Sequence, residues 1–221
     1  MRVENWGTIN YEEAVARQLA AVDEVAAGAE ERLVLCTHPP VVTLGRGAVP
    51  EDLIAWRGET VQTTRGGRAT YHGPSQIVVY PILDLKMERA HFRPRDVHAY
   101  LRAVEQATVD SLRTLGLVNA EARTTKQGEV SLTGVWIGDK KIASIGVAIS
   151  RWITYHGMAL NVVDDPLAFQ GINPCGFSRS IMTSVEKELG KSLPRSQAEA
   201  AVIKSFARAF ETSRRNQELV F

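Results

Sequence analysis

The run Gly134-Val-Trp-Ile-Gly-Asp-Lys-Lys-Ile-Ala-Ser-Ile-Gly-Val-Ala-Ile149, with Trp152-Ile-Thr-Tyr-His-Gly-Met-Ala-Leu-Asn-Val-Val163 behind it, is strand-like throughout. Val, Ile and aromatic residues suit a pleated, half-buried surface, and Gly138-Asp139 supplies a turn that joins neighbours running in opposite directions. Three antiparallel strands over 134–163 are the economical reading. Upstream, Asn10 and Glu13 have capping-box spacing, and Ala14, Val15, Leu19, Val22 and Val25 keep to one helical stripe that Gly28 closes, predicting a helix over about 10–27. Arg32 to Thr37 and Val41 to Leu44 read as strands on either side of His38-Pro39-Pro40. Ile77 to Leu85 is β-rich but contains Pro81, which suggests an edge or bent strand fed by a Gly-punctuated loop. From Pro94, Val97, Tyr100, Leu101, Val104, Thr108, Leu112 and Leu115 trace a second helical face that ends at Gly116. Ser196 and Glu199 repeat the capping-box spacing before Val202, Phe206 and Phe210, predicting a terminal helix packed on the sheet. Strands and helices interleave, so the expected fold class is α+β, organised as one domain over 1–221.

Composition narrows the function classes. The 26 Lys and Arg against 25 Asp and Glu leave a net charge of +1, so no global field points to nucleic acid or to an anionic membrane. The longest apolar run, Ile77 to Leu83, is far short of the ~20 residues needed to span a bilayer. With two cysteines, no secretion signal at the N-terminus and no Cys-built metal pattern, a soluble protein of the reducing cytoplasm is expected.

Three segments could carry chemistry. Cys175 stands in Ile172-Asn-Pro-Cys-Gly-Phe177, where Pro174 and Gly176 disfavour a continuous helix or central strand and put the thiol on a tight turn. Cys36, in an apolar strand, reads as an inert core thiol. A free thiol near pKa 8.5 is only a few per cent thiolate at neutral pH, so Cys175 needs a partner, and Lys141, His72 and His156 are the candidates. Taken singly, Lys141 reads as a solvated charge beside a turn and His156 as a structural histidine. The stretch Arg65-Gly-Gly-Arg-Ala-Thr-Tyr-His-Gly-Pro-Ser-Gln76 offers Gly66 and Gly67 for close backbone approach to a ligand, yet matches neither a P-loop nor a dinucleotide fingerprint.

Taken together, Thr37-His-Pro-Pro-Val-Val-Thr-Leu-Gly-Arg46, Arg65-Gly-Gly with Tyr71-His-Gly-Pro74, Gly134-Val-Trp with Lys141-Ile-Ala, Tyr155-His-Gly with Ala159-Leu-Asn161, and Asn173-Pro-Cys-Gly176 resemble the ordered motifs of the lipoyl(octanoyl) transferases. Ser75 stands where the pattern has glycine, and Met158 where it has a bulkier residue. The resemblance implies the mixed, helix-flanked β-sheet of biotin and lipoate protein ligases. It also implies an acyltransferase without a cofactor or metal, which moves octanoyl from octanoyl-acyl carrier protein to a lysine of lipoyl domains. The acceptors so implied are the lipoyl domains of 2-oxoacid dehydrogenase complexes and the glycine cleavage H protein, with neither nucleic acid nor membrane as partner. By the same carry-over Cys175 is the acyl-thioester nucleophile and Lys141 the group that activates it. Substrate contacts fall on Arg65, Gly66, Gly67, Arg68, Ala69, Thr70, Tyr71 and His72, on Ser144, Ile145 and Gly146, and on Gly157, Met158 and Ala159, with His156 as an auxiliary group. An ATP-dependent ligase of the same fold, with Cys175 a bystander, and a non-catalytic module that holds lipoyl domains are the alternatives.

Overall fold

The computed structural model describes residues 1–123 and 132–212. A seven-stranded sheet runs in the order β1 (Arg2–Thr8), β2 (Arg32–Thr37), β6 (Gln76–Ile82), β10 (Ile153–Asn161), β9 (Lys140–Ser150), β8 (Gly134–Ile137), β7 (Ala120–Arg123). Only β1 and β2 pair in parallel within it, so the sheet is mixed. A second sheet places β3 (Val41–Leu44) between β4 (Glu59–Gln62) and β5 (Ala69–His72). The helices are α1 (Tyr11–Ala26), α2 (Val97–Thr114), the short α3 (Val185–Leu189) and α4 (Arg195–Ala209). The three strands expected over 134–163 are β8, β9 and β10.

The period-2 alternation of a strand builds two cores from the same segments. Leu33 and Leu35 of β2, with Ile77 and Val79 of β6, join the core beneath α2 and α4, whereas Val34, Cys36, Val78 and Tyr80 join the core beneath α1. Helices therefore cover both faces of the main sheet. A third, smaller core holds Val42, Ala69 and Tyr71 of the second sheet against Phe169 and Ile172, just upstream of the Cys175 turn.

Several expectations are corrected. Leu19 is 43% exposed, and the buried face of α1 runs instead through Tyr11, Ala14, Gln18, Ala21, Val22 and Val25. Gln18 belongs there because its Oε1 accepts the His156 backbone N–H at 2.7 Å. Asn10 occupies the N-cap of α1, but its side chain makes no capping hydrogen bond. Terminal helix α4 starts at Arg195, with no side-chain cap from Ser196, and packs against α2 as well as on the sheet, through the core it shares with β2 and β6. Nor is β6 an edge strand, since β2 and β10 flank it. Pro81 is accommodated because β10 leaves the β6 ladder there: their pairing covers only Met158–Asn161, and a Cβ on Gly157 would lie 2.8 Å from Pro81 Cδ. The missing proline N–H thus faces a gap in the ladder. Among the described residues no helix is long and apolar enough to cross a membrane.

Candidate active site

The gap that admits Pro81 also aims His156. At φ +56 this residue is left-handed within a strand, a conformation that costs a non-glycine residue of order 1 kcal/mol or more. The local bend brings the Tyr155 and His156 rings side by side, centroids 4.8 Å apart, instead of onto opposite faces. Tyr155 then faces an adjoining groove, and His156 faces a cavity between the two sheets. Val78, Ile145, Met158 and Ala159 give it apolar walls, and Tyr11, at the first turn of α1, closes one side.

Polar groups at this end are fixed by one another. Arg65, 6% exposed, donates from Nη2 to the Thr43 carbonyl and hydroxyl at 2.7 Å each, and from Nη1 to the Gly66 and Arg68 carbonyls at 3.0 and 2.9 Å. It forms no ion pair with an acidic side chain among the described residues, so these carbonyl and hydroxyl oxygens are what offset its charge. His72 Nε2 lies 3.3 Å from the Thr43 hydroxyl, and the His72 ring stacks on Tyr11. His38 donates from Nδ1 to the Ile9 carbonyl at 2.7 Å, which leaves Nε2 to accept the Tyr80 hydroxyl at 2.7 Å. Burial, reinforced by Arg65, lowers His156 to about 4 and His72 well below the usual imidazole value, and burial also lowers His38. All three rings are therefore neutral at physiological pH and poorly suited to take a proton from a thiol.

Cys175 reaches the cavity from the other side. It occupies a single 3₁₀ turn, Pro174–Gly176, with φ +55, partly exposed. Neighbouring Asn173 anchors the turn: its backbone N–H donates to the Asp52 carbonyl at 2.8 Å, and its Nδ2 donates to the Glu51 carbonyl at 3.1 Å. Asp52, fully buried, also binds Arg68 Nη2 at 2.6 Å and the Ala69 N–H, so one carboxylate ties the arginine loop to the segment that seats the cysteine. Downstream, the Thr183 N–H donates to the Lys141 carbonyl at 3.0 Å. That bond brings the chain back beside β9, where Lys141 Nζ stands 3.6 Å from Cys175 Sγ. Lys141 is 1% exposed, with Nζ 5.6 Å from the centre of the Trp136 ring. Gly134, at φ +143, makes room for it, since a Cβ there would lie 2.7 Å from Lys141 Cε and 2.4 Å from the Ala143 carbonyl. Lys140, by contrast, is exposed and donates to the Ser180 carbonyl. The arrangement places a thiol and an amine together beside a largely apolar slot, a geometry compatible with acyl transfer.

Most of the expected contact residues meet here. Arg65, Gly67, Arg68, Thr70 and His72 line the cavity with Cys175, as do Ser144, Ile145 and Gly146 of β9 and His156, Gly157, Met158 and Ala159 of β10. Gly66 faces an adjoining groove instead. Ala69 and Tyr71 point the opposite way, into the third core, where Tyr71 packs on Trp56 and Phe169. The reason is alternation: a contiguous motif laid on strand β5 presents only every second side chain to one face. Ser75 is accommodated without a positive φ and its carbonyl accepts the N–H groups of Val162 and Val163. Sequence inspection misses Tyr11, Val78, Tyr80 and Thr133, which also line the cavity. Alternation on β6 could have supplied Val78 and Tyr80 as a pair; nothing local marks Tyr11.

Comparison with known proteins gives a consistent picture. Residues 10–207 match the lipoyl protein ligase A/B catalytic domain. The chain is 46% identical over 193 residues to an octanoyltransferase of Bdellovibrio bacteriovorus, covering 85% of this chain and 88% of that protein. It is 40% identical over 212 residues to an octanoyltransferase of Geobacter sulfurreducens, with coverage of 94% and 83%. Among solved structures its fold is similar to lipoate-protein ligase A bound with ATP, at TM-score 0.68 and 19% identity over 98% of this chain and 89% of that one. A putative lipoate protein ligase from T. acidophilum with bound lipoic acid superposes at TM-score 0.66 and 22% identity, covering 94% and 85%. The chain belongs to the lipoyl protein ligase A/B catalytic-domain family, among its octanoyltransferases, and is an acyltransferase.

Proposed function

We propose that this protein, acting as one catalytic domain in the cytoplasm, takes octanoyl from octanoyl-acyl carrier protein onto Cys175 and passes it to a specific lysine of a lipoyl domain. The observation that carries this reading is the 3.6 Å approach of Lys141 Nζ to a turn-borne thiol beside an apolar cavity. In the first half-reaction the Cys175 thiolate attacks the donor's thioester carbon, the donor C–S bond breaks, and the departing carrier thiolate takes a proton from the Lys141 ammonium. In the second, the acceptor amine attacks the Cys175 thioester and gives its proton to the now neutral Lys141. The C–S bond to Cys175 breaks, which restores the thiolate and ammonium. Exchange of one thioester for another is nearly isoenergetic, and amide formation runs downhill, so no nucleotide enters the balance. Val78, Ile145, Met158 and Ala159 would sheathe the acyl chain, each buried CH₂ contributing about 0.8 kcal/mol. The acceptors proposed are the lipoyl domains of 2-oxoacid dehydrogenase complexes and the glycine cleavage H protein. Incubating the purified protein with octanoyl carrier protein and an unmodified lipoyl domain, without ATP, should yield the octanoylated domain. A requirement for ATP and free octanoate would overturn the reading in favour of a ligase.

A further inference from the structure

One buried acid has no part in that scheme. Glu105 lies on the inner face of α2, fully buried, at a position where the helix otherwise presents Tyr100, Val104, Thr108 and Leu112 to the core. A carboxylate in such a place is costly unless nearby charges compensate it. Its compensation comes from three directions. Arg102 of the same helix places Nη1 2.6 Å from Glu105 Oε2. Across from α2, the Gly134 N–H of β8 and the charge of Lys141 on β9 both act on the carboxylate. From β7 and α4, the other elements packed on α2, no charged group among the described residues acts on it. Neither carboxylate oxygen has a well-aligned hydrogen bond among the described residues, so what holds the charge is mainly the field of these neighbours. Gly134 is in contact with both sides: its backbone faces Glu105, and the Lys141 side chain lies where a Cβ on Gly134 would be.

We propose that Glu105 is a positioning residue for the Lys141–Cys175 pair: facing Lys141 across Gly134, its carboxylate holds the lysine as an ammonium and so favours the thiolate on Cys175. This inference rests on the proposed role of that pair. Arg102, Glu105, Lys141 and Cys175 then form a line of alternating charge running from the surface of α2 to the cavity. The single proton shared by lysine and thiol can sit as ammonium and thiolate or as amine and thiol. A change of pH does not by itself move that balance, but a change in the charge of Glu105 does. Burial, countered by Arg102, the Gly134 N–H and Lys141, raises the Glu105 carboxyl to about 7, so the device operates near neutrality and weakens below it.

The test is the pH dependence of Cys175 alkylation by iodoacetamide in the full-length protein, read by peptide mapping, with kcat and KM for transfer measured in parallel. The parent protein should be alkylated readily near neutral pH, and Lys141→Ala should move the rate profile to higher pH. Glu105→Gln, nearly isosteric, should move the midpoint up by about one unit and lower kcat about tenfold, leaving KM unchanged. Arg102→Gln, at a largely exposed side chain, keeps Glu105 in place but leaves it protonated to higher pH, and should move the midpoint the same way by less. Arg102→Gln carries the test if Glu105→Gln does not fold. Parental profiles in both variants, while Lys141→Ala shifts, would refute the role of Glu105 and leave the pair standing. No shift in Lys141→Ala would instead overturn the pair itself. A change in Tm of Glu105→Gln without a change in profile marks a structural carboxyl and also refutes the proposal.

Discussion

Cys36 and Cys175 have nitrogen partners at almost the same distance, 3.7 Å to His38 Nε2 and 3.6 Å to Lys141 Nζ, yet their surroundings prepare them for opposite fates. On β2, Cys36 is 1% exposed, and its histidine neighbour is neutral, with Nε2 already accepting from Tyr80. Burial pushes its thiol up to about 12. Cys175 sits on a left-handed turn that opens to the cavity, and its neighbour is a lysine. Proximity to a nitrogen is thus common to both; backbone geometry, access and the charge the partner can carry separate them.

The sharpest way to break this contrast is selective alkylation of the folded protein at pH 7.5. With a value near 12, Cys36 holds only about 10⁻⁴ to 10⁻⁵ of its population as thiolate, so peptide mapping should show Cys175 modified at least about 10³-fold faster. Comparable rates would erase the distinction. Removing the partner comes next in size: Lys141→Ala should lower kcat by about 10² to 10⁴, the usual worth of a positioned acid–base group, and Lys141→Arg should not restore it. Lys140→Ala should turn over like the parent, because its amine faces the Ser180 carbonyl.

A smaller effect is expected at the cavity rim. Gly67 has φ +87, so Gly67→Val should lower kcat/KM about tenfold through loss of the loop conformation that seats Arg65 and Arg68. Parental kinetics would remove this loop from the site. The remaining effect is on stability. His156 is neutral in the fold and drops to about 4, below its unfolded value of 6.5. Between those values the unfolded chain binds more protons, so stability is complete above about 6.5 and is lost as pH falls toward 4. The contribution is on the order of 3 kcal/mol, and in His156→Gln the slope of Tm against pH over this window should flatten. An unchanged slope would assign acid sensitivity to other groups.

Much of this molecule is legible in its sequence, but unevenly. Strands β8, β9 and β10 and helix α2 declare themselves because their periodicity is long and their turns are chemically marked. Strands β1, β4 and β7 do not, since their residues are mostly exposed and carry little apolar alternation. Pro81 misleads for a tertiary reason: a proline is excluded from a central strand only if the neighbouring strand needs its N–H, and the bend at His156 removes that need. The Arg65 to His72 motif could be located as a block, whereas its division into cavity-facing Thr70 and His72 and core-facing Ala69 and Tyr71 required knowing that part of it is strand β5. Lys141 and Cys175 are separated by 34 residues, and nothing local in either segment predicts their meeting; the Thr183–Lys141 backbone bond that brings them together is a property of the assembled fold. Glu105 was hidden in the opposite way, as one charged letter among inward residues of α2 that are otherwise uncharged.

The most direct test of the whole account is an intact-protein mass spectrum after exposure to octanoyl-acyl carrier protein without acceptor. The parent and Cys36→Ala proteins should each gain a single octanoyl increment, mapped to Cys175 and discharged when a lipoyl domain is added, and Cys175→Ala should gain none. An increment that persists in Cys175→Ala, or undiminished transfer by that variant, would contradict the thioester on Cys175.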